Sequence, residues 1–349
     1  SNWELLCLYC HDNEHTKFHE QILYGSTQEK IIAPATHNPF AGLKDLLDKQ
    51  QQRLAVTISK RMFMMKTRHS FKNAIALVTG AASGIGCALA QELAREGAHV
   101  IVADIQLALA ESVAAGINGA GGSAEAVNLD VTDASAFAAL IHRVKNERGR
   151  IDYLFNNAGI WISGGIKDYA LADWQKIIAI NLMGVINGVQ AVYPLMIAQG
   201  FGHIVNVASM AGLTPSAGMA GYSATKHAVV ALSQSLRVEA AFHGVDVSVL
   251  CPGAIRTPLL KNGGTYGKQL GATTDAQALA DWEKMRPMDA DIFARKALEA
   301  VAKKRGVIIV PGWYKLLWWL ARLAPQLILK GSSIQYKEQH LDREKSGQN

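Results

Sequence analysis

Tyr222 and Lys226, in the run Tyr222-Ser-Ala-Thr-Lys226, form the pair in this chain best suited to move a proton. At i and i+4 they share one face of a helix. A phenol with a pKa near 10 is a poor base at neutral pH. A neighbouring ammonium favours its ionised form, so Lys226 is expected to lower the pKa of Tyr222. Ser209 lies upstream at the end of an apolar run, where its hydroxyl can fix a substrate oxygen. Taken alone, a Tyr-x-x-x-Lys pair occurs in many helices. What precedes it gives it meaning.

An apolar run ends in Thr79-Gly80-Ala-Ala-Ser83-Gly84-Ile85-Gly86, followed by a helical stretch. The glycine spacing differs from G-x-G-x-x-G, but the physical logic is shared. Glycines let the backbone turn tightly and approach a pyrophosphate, whose charge sits at a helix N-terminus. Asp104 directly follows the next apolar run. A carboxylate there accepts hydrogen bonds from both ribose hydroxyls and repels a 2′-phosphate. Its neighbours Ile105 and Gln106 offer no cation for that phosphate. These residues therefore point to NAD over NADP. Asp130 and Val131, after the third run, are placed at the adenine edge, and Asp133 reads as a helix N-cap.

These side chains must be carried by alternating strands and helices. Strands are predicted at 74–79, 100–103, 124–129, 153–155, 203–207, 245–250 and 307–310. Helices are predicted at 84–96, 106–115, 134–147, 174–192, 223–243 and 291–303. Continuous apolar strands alternating with helices imply an α/β fold, with a parallel sheet covered on both faces in three α/β/α layers. Ligands of such sheets bind beyond the carboxyl ends of the strands.

Over residues 73–310 the chain resembles the short-chain dehydrogenase/reductase family. The resemblance rests on Thr79–Gly86, Asn156-Asn157-Ala158-Gly159, Asn181, Ser209, Tyr222, Lys226 and Pro252-Gly253-Ala-Ile255-Arg-Thr257. It implies a single Rossmann-type doubly wound parallel sheet with N- and C-terminal extensions. It implies a catalytic tetrad of Asn181, Ser209, Tyr222 and Lys226, with Asn181 holding a water that links Lys226 to solvent. It places Asn157, Ala158, Gly159, Pro252, Gly253, Ile255 and Thr257 at the cofactor, and lets Tyr222 and Lys226 reach it as well. It also implies a mobile substrate lid over 259–288 and assembly as a homodimer or homotetramer. By family position Ile160, Trp161, Met210, Met219, Leu259 and Leu260 border the substrate, and their apolar character favours a small hydrophobic alcohol or carbonyl compound. Two alternatives stand beside it: an NAD-binding interaction protein without catalysis, against which the intact Ser209, Tyr222 and Lys226 set argues, and a membrane-surface protein acting through its C-terminal helix.

The chain is 349 residues long, 49% hydrophobic and 18% charged, which excludes intrinsic disorder. Its net charge of +6 is divided evenly between the two ends, 1–72 and 311–349, while 73–310 is neutral. A neutral centre argues against nucleic-acid binding. The start lacks a basic region followed by an apolar run. With few cysteines, this predicts a reducing, cytoplasmic setting. Residues 1–72 read as an extension that is disordered or foreign to the natural protein, with a natural start near Met64 or Met65. In it, Cys7-Leu-Tyr-Cys10-His11 spells a haem-attachment pattern and His15 and His19 add zinc-ligand types, but the spacings suit neither, and no metal is expected. Leu43, Leu46, Leu47 and Leu54 permit an amphipathic helix there. Residues 311–330 hold Trp313, Trp318 and Trp319 with Lys315 and Arg322. They read as an amphipathic helix broken at Pro325, packed on its own domain or a partner, or in peripheral contact with a membrane. The polar stretch from 332 onward is expected to fray.

Overall fold

This computed structural model describes residues 71–260, 267–270 and 283–345. The expectations placed on residues 1–70, and on the lid residues 261–266 and 271–282, lie outside the described residues. The folded block begins before residue 73: Phe71 is buried, with its ring 5.0 Å from that of Tyr153.

Seven strands form one sheet. They are β1 (Ile75–Thr79), β2 (His99–Asp104), β3 (Ser123–Asn128), β4 (Tyr153–Asn156), β5 (Gly202–Val207), β6 (Val245–Pro252) and β7 (Val307–Val310). Their order is β7-β6-β5-β4-β1-β2-β3, and every neighbouring pair is parallel. The period of two along a strand divides the core in two. Ala76 and Val78 of β1 and Val100 and Val102 of β2 face one apolar layer. Leu77, Ile101 and Ala103 face the other.

The first layer is covered by α1 (Gly84–Arg95), α2 (Leu107–Gly119) and α7 (Ala290–Ala302), through Leu89, Leu93, Ile117, Phe293 and Leu298. The second is covered by α3 (Ala134–Arg148), α5 (Gly184–Gln199) and α6 (Ala220–Phe242), through Phe137, Leu140, Val192, Met196 and Leu236. A fully buried side chain such as Leu77 or Phe137 contributes about 1.5–3 kcal/mol. The helix predicted over 174–192 is present as α4 (Leu171–Ile178) followed by α5. Between them Ala179–Met183 form a π-helical turn.

The C-terminal end differs from expectation. α8 (Tyr314–Leu323) is followed by α9 (Pro325–Lys345), so the stretch from 332 to 345 is helical rather than frayed. Pro325 opens this second helix, where its missing N–H costs nothing.

One buried polar column ties β5, β6 and the approach to β7. Ser248 Oγ donates to the Arg305 carbonyl at 2.7 Å and accepts from His203 Nε2 at 2.8 Å. Burial pushes His203 down to about 4 from its ordinary 6.5, against a weaker pull from Asp246. The folded state thus keeps His203 neutral where the unfolded chain would protonate it. Stability is complete above about pH 6.5 and falls as pH drops towards 4. Chemical denaturation should find the protein less stable at pH 5 than at pH 7, with about 2 kcal/mol of the difference from this residue. A His203→Gln variant should show that much less pH dependence; an unchanged slope would show that His203 is not its source.

Candidate active site

The carboxyl ends of β1 and β4 lie side by side where the strand order reverses, the place where sheets of this kind bind their ligands. The turn after β1 is shaped for close approach. Gly80 has φ +63°, and a Cβ on it would lie 2.7 Å from the Ala158 Cα. A Cβ on Gly86 would run into the Gly80 carbonyl. The Thr79 hydroxyl accepts from the Asn157 and Ala158 N–H groups, both at 3.1 Å. The Asn157 amide donates to the Thr79 and Gly80 carbonyls at 2.9 and 3.0 Å. The Asn157 amide nitrogen therefore shapes the turn. Ser83 stands exposed as the N-cap of α1, and Ile85 packs against the core behind it. Thr257 packs against Gly84.

Asp104 is buried at the end of β2. Its carboxylate accepts from Ala82 N at 3.0 Å and Gln106 N at 2.9 Å, which fixes it beside the glycine turn. Asp130 is exposed, and its carboxylate accepts from the backbone and hydroxyl of Thr132 at 2.9 and 2.8 Å. That leaves the buried Val131 beside it as the inward-facing member of the pair. Asp133 caps α3 by accepting from Ser135 N and Ala136 N.

The four tetrad positions converge at the ends of β4 and β5. The π-helical turn presents Asn181 inward, fully buried. Its amide pairs with both backbone groups of Ile160, each at 2.8 Å, and reaches the Thr225 hydroxyl at 3.4 Å. These bonds make Asn181 a brace for the chain leaving β4; the water-holding role implied by the resemblance would have to use other atoms. Lys226 lies on α6, almost wholly buried, and donates to the Val207 carbonyl at 2.8 Å. Gly159 leaves the space beside it open: a Cβ there would lie 3.3 Å from Asn181 Oδ1 and 3.5 Å from Lys226 Nζ. Lys226 Nζ lies 5.6 Å from the Tyr222 ring centre. Ser209 Oγ accepts from Ala211 N, leaving its O–H to donate to the Tyr222 oxygen.

The electrostatics differ from expectation. Burial raises the Tyr222 pKa and outweighs the opposing Ser209 bond. Burial also brings Lys226 down to about 8, so an ammonium still predominates at neutral pH. Behind them Cys251 is pushed up by burial to about 12, an inert neutral thiol.

The substrate positions divide. The Trp161 ring lies 6.4 Å from that of Tyr222, and Met219 and Leu259 are partly buried. Met210 instead packs inward with Val229, Cys251 and Tyr314, because the short turn Met210–Gly212 aims it at the core. The described residues of the segment expected to form the lid are tied to the fold at several points, among them Leu270 N, which donates to the Ser163 carbonyl at 2.7 Å, and Lys268 Nζ, which pairs with Asp173 at 3.1 Å. Lys268 N donates to the Trp161 carbonyl at 3.0 Å, and Arg256 pairs with Glu283.

Sequence reasoning misses Tyr314, which α8 brings against the loop 252–257. Its hydroxyl accepts from Ala254 N at 3.3 Å, and a Cβ on Gly253 would fall inside its ring. Nothing in local sequence signals a contact between residues this far apart.

The family profile described as short chain dehydrogenase matches residues 74–265. The chain belongs to the short-chain dehydrogenase/reductase family. A 2,5-dichloro-2,5-cyclohexadiene-1,4-diol dehydrogenase of Sphingobium indicum is 38% identical over 188 residues, 54% of this chain and 75% of that protein. The probable oxidoreductase EphD of Mycobacterium tuberculosis is 34% identical over 303 residues, 86% of this chain and 50% of that protein. A short-chain dehydrogenase/reductase from Burkholderia phymatum, solved with NAD, has a TM-score of 0.66 at 30% identity, covering 74% of this chain and 96% of that one. A gluconate 5-dehydrogenase from Burkholderia cenocepacia, solved with NADP and tartrate, has a TM-score of 0.62 at 30% identity, covering 70% of this chain and 96% of that one. This short-chain dehydrogenase/reductase is thus an oxidoreductase acting on CH–OH groups with a nicotinamide dinucleotide.

The ring of Tyr314 and the bare Cα of Gly253 predict a coupled pair. Gly253→Ala should destabilise the protein by about 1–3 kcal/mol through overpacking. Tyr314→Ala should cost about 3–5 kcal/mol through the cavity it leaves. In the double variant the cost of Gly253→Ala should largely vanish, because the clash is gone. Additive costs in chemical denaturation would show that the two do not interact.

Proposed function

We propose that this protein interconverts a hydrophobic secondary or long-chain alcohol and its ketone or aldehyde with NAD, using residues 73–310 as the catalytic domain. The observation that carries this reading is the Tyr222 oxygen, bonded by Ser209, with Lys226 Nζ 5.6 Å from the Tyr222 ring centre and the Trp161 ring 6.4 Å away on the side expected for substrate.

The residues fit a dinucleotide. The Gly80–Gly86 turn forms a cradle that any Cβ at Gly80 or Gly86 would fill, and the fixed Asp104 carboxylate stands where ribose hydroxyls would donate. The Asp104 charge disfavours a 2′-phosphate, which supports NAD over NADP. Relatives are solved with either dinucleotide, so the preference rests on this chain's own residues.

When bound, the nicotinamide ring supplies the two-electron hydride chemistry. Ser209 holds the substrate oxygen against Tyr222 and fixes its approach. Tyr222 removes the alcohol proton in oxidation and returns it in reduction. Burial keeps its phenol protonated at neutral pH, so the proton that reduction consumes is already in place. Lys226 supplies the ammonium that favours phenolate when the proton leaves, and Asn181 holds the β4 exit in place around it. Trp161, Met219 and Leu259 support an apolar substrate, in keeping with the ring diol named for the Sphingobium relative. Exposed Val238 and Phe242 on α6 support assembly into a homodimer or homotetramer.

Tyr222→Phe should lower kcat by at least ~100-fold while leaving the dinucleotide Kd nearly unchanged. Turnover near that of the parent, measured across a panel of secondary alcohols, steroids, retinoids and long-chain alcohols, would remove Tyr222 from the mechanism. Replacing Asp104 with Ser should narrow the NAD-to-NADP ratio of kcat/KM by ~10-fold or more, the scale of one lost charge contact. An unchanged ratio would leave the preference to other residues.

A further inference from the structure

The helix α8 has two apolar faces. One is inward: Tyr314, Leu317 and Trp318 pack against Met210, Val249 and Cys251. The other is outward: Leu316 is 68% exposed, Trp319 53% and Leu323 78%. A helix that meets only water carries polar residues on its outer pole. Here the outer pole is leucine and tryptophan, and it continues through exposed Trp313 before the helix and Leu327 after it.

Charge distinguishes what this face would meet. Lys315 and Arg322 stand on one flank of α8, with Arg322 over the Trp318 ring at 5.3 Å. Lys330 and Lys337 follow, and no acidic residue occurs between 311 and 337. An apolar ridge flanked only by cations complements an apolar layer under an anionic surface. Ten residues of helix reach about 15 Å, half the hydrocarbon thickness of a bilayer, so α8 cannot cross. Tryptophan and cations at the boundary suit a helix lying in the interface.

We propose that the outer face of α8 and the start of α9 dock this enzyme on the surface of a membrane containing anionic lipid. Leu316, Trp319, Leu320 and Leu323 enter the headgroup boundary, and Lys315, Arg322 and Lys330 meet lipid phosphates. The inner face of the same helix lies on the loop 252–257 through Tyr314, so the docked surface adjoins the catalytic site. The proposal does not depend on which alcohol is oxidised.

The test is flotation of the full chain with vesicles of phosphatidylcholine, with and without phosphatidylglycerol. The parent protein should float with the phosphatidylglycerol vesicles at least ~10-fold better than with phosphatidylcholine alone, and salt should weaken it. A Leu316→Glu, Trp319→Glu, Leu323→Glu variant should lose flotation while keeping its melting temperature and turnover, since these side chains point away from the core. Lys315→Glu with Arg322→Glu should lose the preference for phosphatidylglycerol. Failure of the parent to float, or equal flotation of the triple variant, overturns the proposal. So does a parent dimer, seen by light scattering without lipid, that the triple variant breaks; that result assigns the face to a second copy of the chain. Turnover is read on every sample, so loss of the catalytic reading would not be mistaken for loss of docking.

Discussion

The Lys226 ammonium is held almost out of water at the end of β5, and much of the site is arranged around that one placement. A buried charge is costly unless it is hydrogen-bonded. The Val207 carbonyl supplies the bond, which requires α6 to lie along β5 at one height. The missing side chain at Gly159 leaves the ammonium room on the β4 side. Asn181, turned inward by one π-helical turn, clamps the chain leaving β4 so that this room persists. π-Helical turns inside α-helices often mark functional sites, because they aim a side chain that a regular helix would turn elsewhere.

The dinucleotide side rests on a second set of constraints. Thr79 and Asn157 sew the end of β1 to the end of β4 with five hydrogen bonds through two side chains. The glycine turn is thereby formed from within, before any ligand arrives. Asp104 draws the turn and the start of α2 together through Ala82 and Gln106. A site held this way loses little freedom on binding, which favours both affinity and orientation.

The C-terminal helices change the picture of where the catalytic unit ends. Tyr314 lies outside the residues 74–265 that the family profile matches, yet its ring fills the space beside Gly253. α8 is therefore part of the wall behind the loop 252–257. Its outer pole exposes Leu316, Trp319, Leu320 and Leu323 on a segment rich in cations.

The strands, the helices that cover them, and the positions of Ser209, Tyr222, Lys226 and Asp104 were legible in the sequence. Each depends on near-neighbour chemistry: apolar periodicity, glycine at a tight turn, and a polar residue at a strand end. Other features depend on what distant segments do to one another. The inward turn of Asn181 answers to Ile160. The direction of the Tyr222 pKa follows from burial, which no spacing reveals. Met210 joined the core because the turn after β5 points it there, and 332–345 became helical although its polar composition carried no apolar stripe to announce it. Tyr314 found Gly253 across 61 positions of chain, a contact that only the return of β7 to the edge of the sheet brings about. Local chemistry thus determined which residues do the work, while long-range packing decided how their atoms are aimed and how strongly each holds its proton.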